Sequence, residues 1–381
     1  MAPTHVEALK AMNGVVETTT ALLQQLGTVL GNIHKGKNPP PVQDTENPES
    51  APSNIDALAL ARDSASLIRA HSTKLSLLII NEPFTPSAIS TVIRELVAGP
   101  IPGLASSLEV CDANVYTSVL RRELAYRAQR VFIELGALVQ KVPKDGKVLS
   151  GNNERSFSAG GKGSLASTGV LWSACDDVAA LATMGVGGFF VKKAQEWRDT
   201  LKDVMEEMKE WGEEEPDDDD EGEDDIDDLA DQLGASHLSK QEMLDDLMNS
   251  SEAIPRDDPD GIRPRLETSL KRLRLVVLLY TALSKRRFKK LPPFPPKDSS
   301  SNPDLAKKLD ETAKSLEQLP DKFGDLAAAF YSLDADEIDE TVTLVFAEAV
   351  AVSKLLSATW DGKRDEFTDW TDKFESEIKK T

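Results

Sequence analysis

The chain has 381 residues, and its 65 Asp and Glu against 44 Lys and Arg give a formal net charge of −21; at about 150 residues per domain, this length predicts about two domains. Hydrophobic residues make up 40% of the chain and aromatic residues 6%, which favours an aliphatic core of the kind found in helix bundles. Two cysteines exclude both a disulfide framework and a cysteine-based zinc site, and they favour a reducing, cytosolic or nuclear setting.

The first third of the sequence predicts amphipathic helices separated by prolines. Apolar residues recur every three or four positions from Leu9 to Ile33, which predicts one long helix. The proline-rich stretch 39–52 predicts a linker, because proline removes backbone donors and nothing there builds a core. Three more helices are expected, from Asn54 to about Ile79, from Pro86 to Val97 and from about Leu104 to Lys141, with breaks at 83–86 and 99–103.

The middle of the chain alternates helix with polar sequence. A Gly/Ser-rich loop over 143–163 precedes a helix from Leu165 to Trp211, which is expected to break near Met184–Gly188. From Glu213 to Asp231 the chain carries 14 acidic residues and no basic one. This acidic strip predicts a disordered, solvated tether. A short amphipathic helix is expected around Leu238–Met248.

The last third returns to helical periodicity. A wide leucine-rich stripe predicts a helix from Leu266 to Leu283, and three helices follow the loop 291–303, namely Leu305–Phe330 with a kink at Pro320, one carrying Val345–Trp360 and one carrying Phe367–Ile378. No segment alternates like a strand. The predicted fold is therefore all-α, with antiparallel helices in two bundles. The predicted domains are an N-terminal bundle at 1–212 (with flexible segments at 36–53 and 143–163), an acidic linker with a short helix at 213–257, and a C-terminal bundle at 258–381.

Catalytic and metal-binding patterns are absent from the sequence. The four histidines, His5, His34, His71 and His237, have no paired spacing, whereas a metal site needs clustered ligands. Cys175 lies on a helical apolar stripe and is expected in the core. The glycines of 158–164 and 185–188 lack the spacing and the flanking strand of nucleotide-binding loops. We therefore expect a protein that is not an enzyme, with no catalytic residues, no cofactor and no metal.

A basic segment from Arg263 to Lys290 contrasts with the acidic strip. It contains ten Lys and Arg against one acidic residue, Glu267. Together with the next helix it has the layout of a basic helix-loop-helix, which would bind duplex DNA. The basic residues interleave with the leucine stripe, however, and the protein as a whole repels phosphate, so direct nucleic-acid binding is disfavoured. An intramolecular contact with the acidic strip and a solvated helix face remain the two alternatives.

Two short motifs lie at the end of this basic segment. The cluster Lys285, Arg286, Arg287, Lys289 and Lys290 is typical of a nuclear import signal, although basic clusters also occur as plain solvated surface. Lys289 with Pro292 and Pro295 fits a ligand of SH3-type grooves, and the same residues also fit an ordinary linker. No membrane association is expected, because the longest apolar runs are far shorter than the ~20 residues of a spanning helix, and residues 1–7 lack the basic start of a signal peptide.

Several segments together resemble the cyclin-D-binding (cyclin-D-interacting, GCIP-type) protein family. The resemblance rests on Ser167–Asp176, Phe190–Lys193 and Asp203–Met208, and further on Ser64–Leu75 with the proline break at 83–86, Leu270–Leu275, and Asp325–Tyr331. It implies a non-enzymatic protein with two helical bundles similar to those of talin and vinculin. It also implies cyclin D or helix-loop-helix factors as partners, restraint of cell-cycle progression and transcription, and residence in both cytoplasm and nucleus. A cytoskeletal or adhesion-type helical bundle is the alternative, followed by a nucleic-acid-binding regulator.

Overall fold

The computed structural model describes residues 4–37, 55–149, 164–214, 253–294 and 304–380. All regular elements within these ranges are helical, which confirms the predicted all-α class. The helices are α1 (His5–His34), α2 (Ala57–Ile80), α3 (Pro86–Ala98), α4 (Pro100–Val110), α5 (Ala113–Tyr116), α6 (Ser118–Gln140), α7 (Ser164–Glu213), α8 (Ile262–Arg286), α9 (Leu305–Tyr331), α10 (Ala335–Leu355) and α11 (Glu366–Ile378), with a 3₁₀ turn at Phe288–Lys290. The predicted short helix at 238–248 and most of the acidic strip lie outside the described residues.

Polar side chains fix where the first two helices begin. At α1, Thr4 and Glu7 form a reciprocal capping box, in which each side chain accepts a hydrogen bond from the other residue's backbone amide. At α2, the carboxylate of Asp56 accepts hydrogen bonds from the amides of Leu58 and Ala59 at 2.9 and 3.3 Å. Asp56 therefore caps α2, two residues beyond the position predicted from Asn54.

The single helix predicted over 104–141 is wrong, because the chain forms three helices from Pro100 to Gln140. Pro100 opens α4, where its fixed φ fits the first helical turn and its missing N–H is not needed. The carboxylate of Asp112 accepts from the amide of Asn114 at 3.0 Å and starts α5. Thr117 then takes a positive φ of 79°, which separates α5 from α6.

The start of α6 is completed by an aspartate from far along the chain. The two carboxylate oxygens of Asp310, at the beginning of α9, accept hydrogen bonds from the amides of Ser118 and Val119 at 2.7 and 3.1 Å. A carboxylate in this position satisfies otherwise unpaired donors and also complements the positive end of the helix dipole. The left-handed backbone at Thr117 and the remote carboxylate together define this helix start.

The long helix α7 is interrupted by a glycine. Gly185 has φ 66° and ψ −175°, a conformation that is open essentially only to glycine. The predicted break near Met184–Gly188 is therefore confirmed. By length and hydropathy, α7 is also the one helix in the described ranges that meets the criteria for crossing a membrane. Its apolar residues Leu171, Val178 and Leu181 are nevertheless buried against the protein.

The chain divides into two compact units. The first comprises Met1–Phe189 with Pro292–Asp310, and the second comprises Phe190–Leu291 with Glu311–Thr381. The domain boundaries proposed from the sequence stay a prediction.

In the first unit, α1 packs on α3 and α6, while α2 packs on α3, α4 and α6. The beginning of α7 is attached to α2 by polar contacts. Thr168 Oγ1 donates to Ser76 Oγ at 2.9 Å, and the indole of Trp172 donates to Thr73 Oγ1 at 3.0 Å. The apolar spacing of α7 predicts that Trp172 lies in the core, whereas in the structure this side chain is half-buried.

In the second unit, α8 contacts both α10 and α11, and these two helices contact each other. Leu273 and Val277 of α8 are buried, as predicted for the leucine-rich stripe. The buried Tyr280 hydroxyl donates to the carbonyl of Leu316 at 2.7 Å. A surface groove forms between α8 and α11.

Candidate protein-binding groove

A surface groove of about 310 Å³ lies between the second half of α8 and the beginning of α11. Its lining comprises Leu278, Thr281, Ala282, Lys285 and Arg286 from α8 and Glu366, Phe367 and Trp370 from α11. The volume is near the lower end of the range of about 300–1,000 Å³ that is usual for ligand pockets. Apolar side chains make up its floor and charged side chains its rim, which is the composition of a site for another protein's anchoring side chain.

Helical periodicity places the α8 side of the groove. Leu278 and Lys285 are seven residues apart and therefore share one face, while Leu279 and Leu283 point into the core and are fully buried. Leu278 is 50% exposed, and it is the one large aliphatic side chain of α8 that is so exposed. A leucine held at the surface between a lysine and an arginine is a candidate contact residue.

Stacked aromatic rings form the α11 side. Phe367 and Trp370 lie with ring centroids 5.5 Å apart and planes 13° apart, and Trp370 and Phe374 follow at 5.4 Å and 18°. Phe367 and Phe374 are buried, whereas Trp370 is half-buried and faces the groove. Two rings therefore fix the orientation of the indole, which is the kind of preformed aromatic surface favoured at interface hot spots.

The groove rests on a buried arginine, Arg287, whose side chain is only 1% exposed. Its guanidinium lies over the ring of Phe367 at 4.5 Å. All five of its N–H donors are used. Nε donates to Leu356 O at 2.7 Å, Nη1 to Arg286 O at 3.0 Å and Asp365 Oδ2 at 2.9 Å, and Nη2 to Ser357 O at 2.5 Å and Asp365 Oδ1 at 2.9 Å.

Asp365 connects this arginine to α11. Its carboxylate caps the helix by accepting from the amides of Phe367 and Thr368 at 3.2 and 3.1 Å. The hydrogen bonds from Arg287 hold the pKa of the Asp365 carboxyl well below its ordinary value, and the amide of Thr368 lowers it further. The indole of Trp360 donates to the carbonyl of Arg287 at 3.1 Å. Trp360 is half-buried and lies beyond the end of α10, whereas the sequence predicts it within a helix.

The basic segment 263–290 divides into cations that stabilise the fold and cations that face solvent. The arginines that are buried or half-buried and have partners inside the second unit are Arg263, bonded to Gly212 O and Ile254 O, Arg265, bonded to Asp339, Arg272, over the Phe346 ring, and Arg287. Exposed cations are Lys271, Arg274, Lys285, Arg286, Lys289 and Lys290. Arg286 forms an ion pair with Glu366 at 3.2 Å across the groove rim. The groove therefore lies in a locally basic surface of an acidic protein.

The predicted import signal is not uniformly accessible. Lys285, Arg286, Lys289 and Lys290 are exposed, while Arg287 in the middle of the cluster is buried. In the predicted SH3-type ligand, Lys289 and Pro292 are exposed, and Pro295 lies outside the described residues. Both motifs stay predictions, and any transport receptor or SH3 domain has four exposed cations to contact here.

Catalytic chemistry finds no support among the described residues. Cys111 and Cys175 are both buried, and burial raises the pKa of each thiol to about 12, so neither is an activated nucleophile. Within 4–37, 55–149, 164–214, 253–294 and 304–380, no three His, Cys, Asp or Glu residues are grouped as metal ligands. The expectation of a protein without catalytic residues or metal stays a prediction.

The groove itself was missed from the sequence. Leu278 is not part of the leucine stripe that the sequence predicts for α8, and Phe367, Trp370 and Phe374 are expected only as periodic residues of the last helix. The aromatic spacing of three and four residues was the available signal, since it places Trp370 on the same face as two phenylalanines. Periodicity identifies a face but does not show which of its side chains a neighbouring helix leaves uncovered.

The described residues thus define an all-helical protein with an apolar surface groove. Residues 61–214 match the family described as Grap2 and cyclin-D-interacting, N-terminal, which confirms the resemblance inferred from the sequence. This is a protein-interaction family. The groove lies outside the matched residues.

A protein of Schizosaccharomyces pombe, described as uncharacterized, is similar to part of the chain. It is 26% identical over 173 residues, which cover 45% of this chain and 49% of that protein. The chain therefore spans about half the length of the curated relative that it matches.

Proposed function

We propose that this protein is a non-enzymatic, helical protein-interaction regulator that binds D-type cyclins or helix-loop-helix factors and thereby restrains cell-cycle progression and transcription. The match of residues 61–214 to a cyclin-D-interacting family carries the proposal. The groove between α8 and α11 supports it, because a stacked Trp370 beside an exposed Leu278 offers an anchor site for a partner side chain. The two-bundle arrangement similar to talin and vinculin, with an acidic linker at 213–257, belongs to the same proposal.

Direct binding of a purified D-type cyclin to the full chain tests the proposed function. We expect saturable binding by isothermal titration calorimetry, and recovery of cyclin or helix-loop-helix factors when the tagged chain is incubated with nuclear extract. Recovery of actin-type partners alone, with no cyclin binding by calorimetry, would contradict the proposal and favour the cytoskeletal alternative.

Residence in both nucleus and cytoplasm is part of the proposal and depends on the basic cluster. The burial of Arg287 decides the variant to use, because replacing that residue would disrupt the Asp365 contacts as well as any signal. A tagged chain with Lys285, Arg286, Lys289 and Lys290 all changed to Ala keeps Arg287 and is expected to lose nuclear accumulation. A chain with Lys307, Lys314, Lys379 and Lys380 changed to Ala is the charge-matched control. Equal distribution of the two variants would remove the import signal.

A further inference from the structure

We propose that the occupant of the groove between α8 and α11 is an acidic amphipathic helix of a partner protein, with an aliphatic or aromatic side chain inserted against Leu278 and Trp370. This inference rests on the proposed function, which it deepens by naming the chemistry of the partner surface. Three features of the second unit carry it, namely the exposed apolar floor, the rigidity of the aromatic wall and the charge of the rim.

The floor favours a protein helix over a polar ligand. Leu278, Ala282, Phe367 and Trp370 contribute apolar surface, and Leu278 keeps half of its side chain in solvent. Exposed apolar surface of this kind is stabilised when a partner covers it. A nucleic acid would place phosphates here and leave the leucine uncovered, whereas an amphipathic helix presents apolar residues at intervals of three and four that match such a groove.

The wall is preformed, which lowers the entropic cost of binding. Trp370 stacks between Phe367 and Phe374, and Phe367 in turn lies under the guanidinium of Arg287. Arg287 is itself fixed by five hydrogen bonds. An indole held in this way loses little rotational freedom when a partner packs on it.

The rim gives the sign of the partner's charge. Lys285 and Arg274 lie on the same face of α8 as Leu278, at intervals of seven and four residues, and neither has an ion pair among the residues that the structure describes. Arg286 is only partly neutralised by Glu366, whose side chain is 83% exposed. A helix carrying carboxylates beside its apolar stripe would pair with these cations and would be steered toward a basic surface on an otherwise acidic chain.

The test uses the full chain and three fluorescein-labelled peptides of about 18 residues, long enough for roughly five helical turns. The first is an acidic amphipathic helix with Leu at positions i, i+3, i+4 and i+7 and Glu beside them. The second has Lys for every Glu, and the third has the composition of the first in scrambled order. We expect the acidic amphipathic peptide to bind at least about tenfold more tightly than the other two by fluorescence anisotropy.

Variants with matched controls locate the binding. Leu278→Asp is expected to lower the affinity for the acidic peptide at least about tenfold. Leu344→Asp changes a 60% exposed leucine on α10 and is expected to leave that affinity unchanged. Lys285→Glu should weaken binding several-fold and reduce its dependence on salt, whereas Lys314→Glu, on the exposed face of α9, should not. Circular dichroism of each variant confirms that the fold is intact before binding is compared.

Several outcomes would overturn the inference. They are equal binding of the lysine peptide, tighter binding of duplex DNA than of the acidic peptide, loss of binding in Leu344→Asp as much as in Leu278→Asp, and concentration-dependent dimers that Leu278→Asp abolishes. Peptide binding that appears only after deletion of residues 215–252 would assign the groove to this chain's own acidic segment. Cyclin binding that is unchanged in Leu278→Asp would refute this inference alone. A wild type that binds the acidic peptide at Leu278 but neither cyclin nor helix-loop-helix factors would refute the proposed function alone.

Discussion

Arg287 shows how a single residue in a basic cluster serves the fold. The desolvation of a guanidinium is costly unless every donor is bonded and the charge is paired. Asp365 supplies the pairing charge and two of the five acceptors, and it caps α11 at the same time. The side chain of Arg287 therefore stabilises the aromatic wall of the groove. Because it is buried, a transport receptor that binds the basic cluster cannot contact it.

Removing the partner of this arginine tests that role. Asp365→Asn is expected to lower the free energy of unfolding by about 2 kcal/mol, less than the 3–5 kcal/mol of a fully buried pair, because 27% of the Asp365 side chain lies in solvent. Urea denaturation followed by circular dichroism measures it. Asp372→Asn, which breaks a solvent-exposed contact with Arg364, is the control and should change little. An equal loss of unfolding free energy in both variants would contradict the proposed role of Asp365 as the partner of the buried Arg287.

The same pair predicts a dependence on pH. Since the pKa of Asp365 is lower in the folded chain than in the unfolded chain, its stabilisation is complete above the ordinary Asp pKa of about 3.9 and is lost as the pH falls below that value. The difference in unfolding free energy between wild type and Asp365→Asn should therefore narrow as the pH falls from about 5 to about 3. A difference that stays constant over this range would show that the carboxylate does not titrate as argued.

The two cysteines give a further prediction at the scale of the residue. A thiol pKa of about 12 leaves a thiolate fraction of only about one in ten thousand at pH 8, and only the thiolate reacts with disulfide reagents. Cys111 and Cys175 should therefore be unreactive toward Ellman's reagent in the native protein and should both react in guanidinium chloride. Rapid labelling of either thiol in the native protein would contradict their burial.

At the scale of the helices, the backbone conformation inside α7 requires a glycine at position 185. Gly185→Ala should lower the unfolding free energy by about 1–3 kcal/mol, because the conformation at Gly185 is strained for any residue with a Cβ. The added atom itself meets nothing within 4 Å, so the cost belongs to the backbone alone. Gly169→Ala is a matched control in the same helix, also without a clash, and should stabilise the protein by about 0.5–1 kcal/mol. We expect thermal or urea unfolding to show a lower free energy of unfolding for Gly185→Ala and a higher one for Gly169→Ala. A change in the same direction in both variants would contradict the prediction.

The features of the helices that could be predicted are those that depend on local sequence. The stripes of α1 and α8 and the break in α7 follow from apolar spacing and from glycine. The separation of α5 from α6 could not be predicted, because it depends on a positive φ at Thr117 and on a carboxylate 192 residues from Ser118. The groove escaped prediction for the same reason, since the burial of Arg287 depends on Asp365, 78 residues away.

At the scale of the whole molecule, charge decides against duplex DNA as a partner. The exposed cations of the segment 263–290 are few on a chain of net charge −21, namely Lys271, Arg274, Lys285, Arg286, Lys289 and Lys290. Binding to DNA gains free energy mainly from the release of counterions by many such contacts. A labelled duplex titrated with the full chain at about 0.15 M salt should therefore show no saturable binding. Saturable binding that weakens steeply as salt rises would overturn this prediction.

The carboxylate that completes α6 limits how the protein can be divided. A recombinant fragment cut to residues 61–214 would contain α6 but neither Asp310 nor α1, which packs along α6. The amides of Ser118 and Val119 would lose their acceptor, and an apolar flank of α6 would be left in water. Workers who choose truncation points from the family match alone should therefore obtain an aggregation-prone product, and soluble material calls for ends that retain both α1 and the start of α9.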